Sequence, residues 1–295
     1  MTDVLVIGEA LVDIVVSARG IEEHPGGSPA NVALGLGRFG AEVSLLTSIA
    51  PDERGRAIAM HLEQSGVVVL PESFSADRTS NAIATISAED GSADYTFDVQ
   101  WDPTRASLEV SPRIVHTGSI AAFLRPGADT VRAYLRDLDV DEITFDPNIR
   151  PALIGDPADA RATFEETAAL ATVVKLSDED AAWLYPDASV DEVLDRILAI
   201  GPRLAVITRG GEGAVLAIPT ARVTVAAATV SVIDTIGAGD TYMASLIDSL
   251  LNWPSAELTP PIVEIIGGRA ARAAAITVSR AGADLPWRDE LGNDE

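Results

Sequence analysis

VIDTIGAGDTYMASLIDSLL, from Val232 to Leu251, is the most informative segment of the sequence. A small-residue turn, Gly237-Ala238-Gly239, leads directly into Asp240 and then into an amphipathic pattern typical of a helix. Glycines allow a ligand to approach closely, and the unpaired N–H groups of a first helical turn attract anions. We predict that this turn stabilises a phosphoryl group and that Asp240 accepts the proton of an attacking hydroxyl. The alternative is that Asp240 is only a helix cap.

Short apolar runs alternate with amphipathic stretches through the rest of the chain. Such runs are typical of buried parallel strands, and the stretches between them are typical of crossover helices. The predicted strands begin near Val4, Val43, Arg113, Glu142, Thr172 and Leu204, and the predicted helices span 28–39, 53–65, 129–138, 158–171 and 190–200. The pattern predicts an α/β sandwich in a single domain, 1–295, without linkers or repeats.

Three further segments interrupt this alternation. LVDIVVS from Leu11, NAIATIS from Asn81 and ADYTFDV from Ala93 look like short strands, and AEDG at 88–91 supplies a turn between the last two. We expect a small sheet outside the main one, formed by insertions near 11–24 and 81–103, which would suit a lid. The alternative is an ordinary antiparallel edge of the main sheet.

Composition excludes several classes of protein. The chain has 295 residues, no cysteine and a formal net charge of −24. The lack of thiols excludes a disulfide scaffold or a Cys-ligated metal and fits a cytoplasmic location. The negative field disfavours nucleic acid and anionic membrane surfaces, and no apolar run approaches the roughly 20 residues of a membrane helix. Lys175 is the only lysine, which we attribute to codon composition.

Two motifs resemble the signatures of the ribokinase-like (PfkB) carbohydrate kinases. GGSPANVALGLGRFG, from Gly26 to Gly40, resembles their N-terminal signature, and DTIGAGDTY, which contains Asp240, resembles their C-terminal one. The similarity runs along nearly the whole chain, through FDPNIRP and ITRGGEGA to ITVSRAGA. It implies a Rossmann-like three-layer α/β/α sandwich with a small β-sheet lid, and ATP-dependent phosphoryl transfer to a small sugar.

The N-terminal signature supplies candidate sugar contacts. Gly26 and Gly27 let backbone amides approach a polyhydroxylated ligand, and the Asn31 amide offers both a donor and an acceptor. The resemblance also places Asp13 on the sugar, together with Asn148 and Arg150 of the FDPNIRP loop. A structural reading remains for Arg150, which could instead pair with a surface acid.

The nucleotide is expected at a glycine turn that follows a strand. The resemblance assigns it to Thr208, Gly210, Gly211 and Gly213, together with Gly237 and Gly239. Gly35, Gly37 and Gly40 spell G-x-G-x-x-G, but they end a predicted helix instead of opening one, so we interpret them as helix-ending and packing residues. A Walker A motif is absent from the sequence.

Metal contacts follow only from the resemblance. The family's Asn-x-x-Glu motif, which organises water-bound Mg²⁺, is replaced here by Ser177 and Asp180, so Asp180 and the neighbouring Glu179 become candidates for the outer coordination shell. The resemblance also implies a K⁺ site formed by carbonyls near Asp234, Ile236 and Gly282. The three histidines, His24, His61 and His116, lie in unrelated segments, and we assign them no chemistry.

Fructose is the first choice of substrate, because DPNIR, the lid stretch and SRAGA resemble bacterial fructokinases. Ribose, 2-keto-3-deoxygluconate and other small sugars stay open, as does a non-catalytic sugar-binding protein on the same fold. A nicotinamide dehydrogenase would rest on the glycine motif alone, which the strand order disfavours. The lid edges also leave open a homodimer.

Overall fold

Alternating apolar side chains build a central sheet that is covered on both faces. The computed structural model describes residues 2–18, 20–86, 93–108 and 110–292. The strands are β1 (Val4–Ile7), β2 (Leu11–Ser17), β3 (Gly20–Gly26), β4 (Val43–Leu46), β5 (Val68–Val69), β6 (Asn81–Ile86), β7 (Ala93–Asp98), β8 (Ile114–Gly118), β9 (Glu142–Asp146), β10 (Val173–Ser177), β11 (Leu204–Thr208), β12 (Ala214–Ile218) and β13 (Ala221–Val225).

Ten α-helices connect these strands within the described residues. They are α1 (Ser28–Arg38), α2 (Glu53–Glu63), α3 (Ser119–Phe123), α4 (Gly127–Asp137), α5 (Pro151–Ile154), α6 (Pro157–Ala168), α7 (Asp178–Leu184), α8 (Val190–Ile200), α9 (Ala238–Leu250) and α10 (Pro260–Val278). Every predicted helix is present with ends shifted by a few residues at most, and α8 matches its prediction at both ends. The strand predicted from Val43 ends at Leu46, because the chain then leaves the sheet and the Ile49 N–H donates to the Ser73 carbonyl.

The main sheet has nine strands in the order β13-β12-β11-β10-β9-β8-β1-β4-β5. Neighbours from β11 to β5 are parallel, and β12 and β13 extend the sheet as an antiparallel hairpin. Successive residues of β1 face opposite layers: Val4 and Val6 pack with α1, α9 and α10, whereas Leu5 and Ile7 pack with α4. The predicted three-layer α/β/α class is confirmed.

A second sheet of four strands lies apart from the main one, in the order β3-β2-β6-β7. Strand β2 pairs antiparallel with β3 and parallel with β6. The predicted small β-sheet is therefore confirmed as a separate sheet, and the reading as an edge of the main sheet is wrong. Its first insertion reaches Gly26 instead of residue 24, and the predicted turn at 88–91 lies outside the described residues. Closure of this sheet over a ligand stays a prediction.

The glycines of the G-x-G-x-x-G string pack α1 against its neighbours. A Cβ on Gly35 would lie 2.9 Å from the Ala244 methyl group on α9, and a Cβ on Gly37 would overlap the Ser65 carbonyl oxygen. Both glycines lie within α1, so they do not end the helix as expected, whereas Gly40 follows it with φ +82°. Close packing of α1 against its neighbours therefore explains the glycines at Gly35 and Gly37. No described helix is long and apolar enough to cross a membrane.

We expect Gly37→Ala to lower the free energy of unfolding by about 1–2 kcal/mol. Alanine gains about 1 kcal/mol of helix propensity, but overpacking costs about 1–3 kcal/mol, and here the obstacle is a backbone oxygen that cannot rotate away. Urea unfolding measures the change.

Gly268→Ala in α10 is the matched control. The nearest atom to a Cβ at Gly268 is 3.5 Å away and belongs to the Arg272 side chain. This variant should gain about 0.5–1 kcal/mol from helix propensity alone. Equal effects of the two substitutions would show that packing at Gly37 is looser than described.

Candidate active site

The carboxyl ends of parallel strands meet the first turn of α9 at one edge of the main sheet. Glu9 follows β1, Ser119 follows β8, and Asp146 ends β9 in register with Gly118. In open α/β sheets this edge is where ligands bind, because loops and helix N-termini converge there. The candidate residues are distributed around it.

Asp240 lies in the first turn of α9 and is buried. Its Oδ1 accepts a hydrogen bond of 2.7 Å from the Ser28 hydroxyl, and its Oδ2 accepts one of 2.8 Å from the Asn31 side-chain amide. Both donors lie on α1, which packs directly against α9. The two sequence motifs therefore meet at one carboxylate.

The electrostatic setting of Asp240 is a balance between burial and donors. Burial raises the pKa of Asp240, and the bonds from Ser28 and Asn31 oppose that rise, as do the charges of Lys175 and Arg150. A carboxylate with a raised pKa is a stronger base than one in water, provided that it is ionised at the working pH. This arrangement suits proton acceptance better than simple helix capping, since neither side-chain oxygen of Asp240 bonds to the first-turn amides.

The turn before Asp240 adopts the backbone that its glycines allow. Gly237 has φ +79°, and a Cβ there would lie 2.9 Å from the Ala283 methyl group. The Ala238 N–H donates to the Thr235 carbonyl at 3.3 Å, so that amide is already used within the turn. The amides of Gly239 and Asp240 follow in the first turn, where no helical carbonyl precedes them. The amides that could meet an anion are therefore those of Gly239 and Asp240, and the anion site at 237–239 stays a prediction.

The predicted sugar residues cluster where the small sheet joins α1. A Cβ on Gly26 would overlap the Asp13 carboxylate, and a Cβ on Gly27, whose φ is +106°, would lie 2.6 Å from the Glu9 carbonyl oxygen. Asp13 is exposed to solvent. Asn31 donates to Asp240, and its contact with the sugar stays a prediction.

Arg150 brings the FDPNIRP loop to the same place. It is a charged neighbour of Asp13, Glu9 and Asp240, and its charge opposes the rise in pKa that burial causes in each of these carboxyl groups. Its Nη1 also donates to the Asn148 side-chain oxygen at 2.7 Å. Asn148 has φ +35°, a turn conformation that few residue types adopt readily. The loop thus presents a guanidinium group toward three acids.

The glycine turn predicted to hold nucleotide lies on a neighbouring strand. Thr208 ends β11 in register with Ser177, and Gly210 and Gly213 have φ of +48° and +88°. Apart from the adjoining residues, no atom in the described part of the chain lies within 4 Å of a Cβ built on Gly210 or Gly211, so this side of the turn has room for a ligand.

The candidate metal residues have structural partners. Asp180 accepts hydrogen bonds from the backbone of Ile149 at 2.9 Å and of Ser177 at 3.0 Å, which anchors the FDPNIRP loop, and Glu179 is exposed. Asp234 accepts from the amides of Ile236 at 3.0 Å and Gly282 at 2.9 Å, which joins the two segments. No group of three or more described His, Cys, Asp or Glu residues could hold a metal ion.

Sequence reasoning missed Ser28, Glu9 and Lys175, and it did not foresee that Asp146 pairs with Lys175. Ser28 sits inside the quoted motif, yet only the fold shows that it reaches Asp240. Glu9 is buried, and its Oε2 accepts from the Ala121 amide at 3.0 Å. Lys175 and Asp146 form a buried ion pair of 2.6 Å. No local pattern marks that pair; it depends on the pairing of β9 with β10.

Comparison with known proteins agrees with this geometry. A family model described as "pfkB family carbohydrate kinase" matches residues 1–290. A fructokinase from Rhizobium leguminosarum bv. trifolii is 32% identical over 84% of the chain and 79% of its own length. A Klebsiella pneumoniae fructokinase is 30% identical over 97% of each chain. A double-mutant fructokinase from Vibrio cholerae O395, solved with fructose, ADP and potassium ion, has a TM-score of 0.81 at 26% identity, covering 99% of this chain and 97% of the other.

Glu9 gives this site a pH dependence of stability. Burial raises its pKa from 4.5 to about 7, against the hydrogen bonds of Ser119 and Ala121. Between those values the unfolded chain releases the proton while the folded chain keeps it, so stability falls as pH rises and the loss is complete above pH 7. We expect Glu9→Gln to become more stable relative to wild type across this window, by up to about 3 kcal/mol.

Urea unfolding of both proteins from pH 4 to pH 9 measures the difference. Because other buried acids titrate equally in both proteins, the difference isolates Glu9. A stability difference that does not change with pH would mean that Glu9 titrates as it does in water.

Proposed function

The chain belongs to the pfkB family of carbohydrate kinases and is a sugar kinase, and we propose that it transfers the γ-phosphoryl group of ATP to a hydroxyl of fructose. The observation that carries the proposal is the buried Asp240 carboxylate, held in the first turn of α9 by Ser28 and Asn31. Fructose is favoured over ribose and 2-keto-3-deoxygluconate because the similar proteins named above are fructokinases and one of them binds fructose and ADP.

Asp240 acts as the general base. The sugar oxygen attacks the γ-phosphorus while its proton passes to the carboxylate. The Ser28 hydroxyl can reverse and accept a hydrogen bond, whereas the Asn31 amide nitrogen can only donate. The proton is therefore accommodated on Oδ1, opposite Ser28, while Oδ2 keeps its bond from Asn31.

The first turn of α9 stabilises the transferred phosphoryl group. The amides that follow Gly237 lack helical carbonyl partners, and a helix N-terminus carries partial positive charge. The open turn at Gly210 and Gly211, with Thr208 and Gly213, binds the rest of the nucleotide. The Asp240 carboxylate is not another phosphate ligand, because a carboxylate and a phosphate are both negatively charged and repel each other.

The sugar lies between the small sheet and the main one. Asp13 accepts hydrogen bonds from sugar hydroxyls, the backbone of Gly26 and Gly27 borders the ligand, and Arg150 with Asn148 closes the opposite side. Arg150 is the charged neighbour of both Asp13 and Asp240, which supports a ligand held between those two carboxylates.

Metal ions complete the proposed site. Mg²⁺ neutralises charge on the nucleotide phosphates when bound. It prefers to keep several waters, and the described residues offer no cage of three acids, so this chain fits an ion that arrives with ATP and meets Asp180 and Glu179 through water. The carboxylate of Asp234 joins the segments of Ile236 and Gly282, which fits a K⁺ site lined by their carbonyls.

We place the enzyme in the cytoplasm, where ATP is available, and propose that its small sheets pair in a homodimer. Strands β3 and β7 are the outer strands of that sheet, and Ile21 and Tyr95 on them are 68% and 60% exposed. Unpaired strand edges with apolar side chains favour association with a second copy.

An ADP-release assay over a panel of sugars tests the substrate. We expect fructose to give the highest kcat/KM, with ribose and 2-keto-3-deoxygluconate below it. We expect Asp240→Asn to lower kcat roughly 10²–10⁴-fold while fructose affinity stays within a few-fold, because the amide keeps the shape but cannot take the proton. In the variant, the side-chain carbonyl of residue 240 can accept from Asn31, and its amide NH₂ can donate to the Ser28 oxygen. Folding should therefore be preserved.

Asp248→Asn is the matched control for that variant. Asp248 is also buried on α9, but it pairs with Arg288 at 2.6 Å and Arg269 at 3.6 Å, away from the first turn. It should lose stability and keep its kcat. Near-normal turnover by Asp240→Asn would remove Asp240 from the mechanism.

Closure of the small sheet is tested by hydrogen exchange with and without fructose. We expect new protection in β2, β6 and β7 when the sugar binds, and little change in β4, because closure excludes water and orders the lid strands. Asp13→Ala should abolish the protection, and Glu22→Ala, on the exposed strand β3, should keep it.

The oligomeric state is measured by sedimentation at the same concentration, since pairing between copies would protect the edge strands without sugar. Equal protection of β2 with and without bound fructose would show a fixed sheet, and the lid mechanism would be dropped while the kinase assignment stood.

A further inference from the structure

The only lysine of the chain is buried at the proposed phosphoryl site. Lys175 lies on β10 and is only 4% exposed, although lysine is among the residues least often buried. Its Nζ donates to Asp146 Oδ2 at 2.6 Å, and Asp146 is 1% exposed. Phe145 pairs with Val174 in the parallel ladder, so Asp146 and Lys175 are the next neighbours across it and project from the same face. That face lies under α9.

Stability alone does not account for this pair. Removing two charges from water costs several kcal/mol per ion, and apolar side chains of similar volume usually serve a core as well or better. Within the described residues the pair is also incomplete: Asp146 Oδ1 is buried without a hydrogen-bond partner, and Asp146 is the one hydrogen-bond acceptor that Lys175 Nζ has there. An ammonium group carries three N–H donors, so two are available to another acceptor.

The available donors lie at the first turn of α9. A Cβ on Gly239 would lie 3.2 Å from Lys175 Nζ, so the ammonium group sits directly against the backbone of the proposed anion site. Lys175 is also a charged neighbour of Asp240. A bound anion would meet the helix amides and the ammonium group together.

We propose that Lys175 is a further catalytic residue, whose ammonium group binds the phosphoryl group during transfer, and that Asp146 is the positioning residue that holds it. The proposal rests on the proposed kinase function and adds a group to it. As the sugar oxygen–phosphorus bond forms and the bond to the leaving ADP oxygen breaks, charge on the peripheral oxygens meets a fixed cation. Lys175 stays protonated throughout, and the hydroxyl proton goes to Asp240.

Residue size explains why this cation is a lysine in a chain otherwise rich in arginine. The ammonium group is compact and fits between β10 and Gly239, whereas the planar guanidinium group is wider and presents its donors in a fixed fork. We therefore expect Lys175→Arg to be nearly as impaired as Lys175→Met, because the longer side chain must displace the turn at Gly239.

We expect Lys175→Met to lower kcat roughly 10²–10³-fold, the usual effect of removing one group that stabilises the transition state. Fructose affinity should stay within about threefold, because the ammonium group does not lie on the sugar side. Arg222→Met is the charge-matched control. Arg222 lies on the outermost strand, β13, and pairs with Asp191 and Asp195 of α8. Its loss should therefore leave turnover unchanged. Wild-type kcat in Lys175→Met would overturn the proposal.

A purely structural role is tested by Asp146→Asn combined with Lys175→Met. If Lys175 only neutralises Asp146, removal of both charges restores turnover; recovery to within about threefold of wild type would overturn the proposal. If Lys175 binds the phosphoryl group, the double variant stays as slow as Lys175→Met. Thermal melting of each variant reports whether it is folded.

A spectroscopic test needs no variant. In an untagged protein made with lysine labelled at ¹³Cε, a single ε-methylene resonance is expected, because Lys175 is the only lysine. We expect it to shift when MgCl₂, ADP and aluminium fluoride are added together and to move much less with fructose alone. If the resonance does not shift when MgCl₂, ADP and aluminium fluoride are added, the proposal is refuted. If the sugar panel instead selects another sugar, the fructose assignment fails, yet the lysine response to the analogue still stands.

Discussion

The rest of the site depends on the hydrogen bonds that compensate one buried carboxylate. An ionised aspartate taken out of water is costly unless donors replace its hydration. Asp240 receives its donors from Ser28 and Asn31, which are 212 and 209 positions away in the chain. These bonds exist only while α1 and α9 lie side by side, which the small residues Gly35 and Ala244 permit. The Asp240 carboxylate, our proposed base, is therefore positioned by the fold and not by its own loop.

The polar face beneath α9 extends the same electrostatic constraint. His116 is buried against Thr144, and burial, with the nearby charge of Lys175, lowers its pKa to about 3, so it stays neutral. Burial raises the pKa of Asp146 to about 6 despite its lysine partner. The face therefore holds two acids, Asp146 and Asp240, beside one ammonium group. A nucleotide would add more negative charge, so the proposed function calls for cations such as Mg²⁺ and the Arg150 guanidinium group near the phosphates.

Periodicity predicted the parallel strands and the long helices well, because an apolar run is buried regardless of which element packs against it. It missed β3, whose GIEEHPG sequence is polar and mostly exposed at the edge of the small sheet. The motifs predicted Asp240 and its turn, because these residues are consecutive in the sequence. They gave Ser28 no role, and composition alone led us to attribute the single lysine, Lys175, to codon usage. Those contacts depend on α1 lying beside α9 and on the register of β9 against β10, which no local pattern encodes.

The two stems that join β2 and β3 to the main body limit how this part of the small sheet can move. The first leaves β1 through Gly8, Glu9 and Ala10, and the second enters α1 through Gly26 and Gly27. A Cβ on Gly8 would overlap the Pro29 ring at the start of α1, and one on Gly27 would press on the Glu9 carbonyl, so both stems are closely packed. Strands β2 and β3 cannot then shift separately without disturbing Ser28, which holds the base. Any closure must rotate the sheet as one body about these stems, so that Asp13 approaches the sugar while Asp240 keeps its donors.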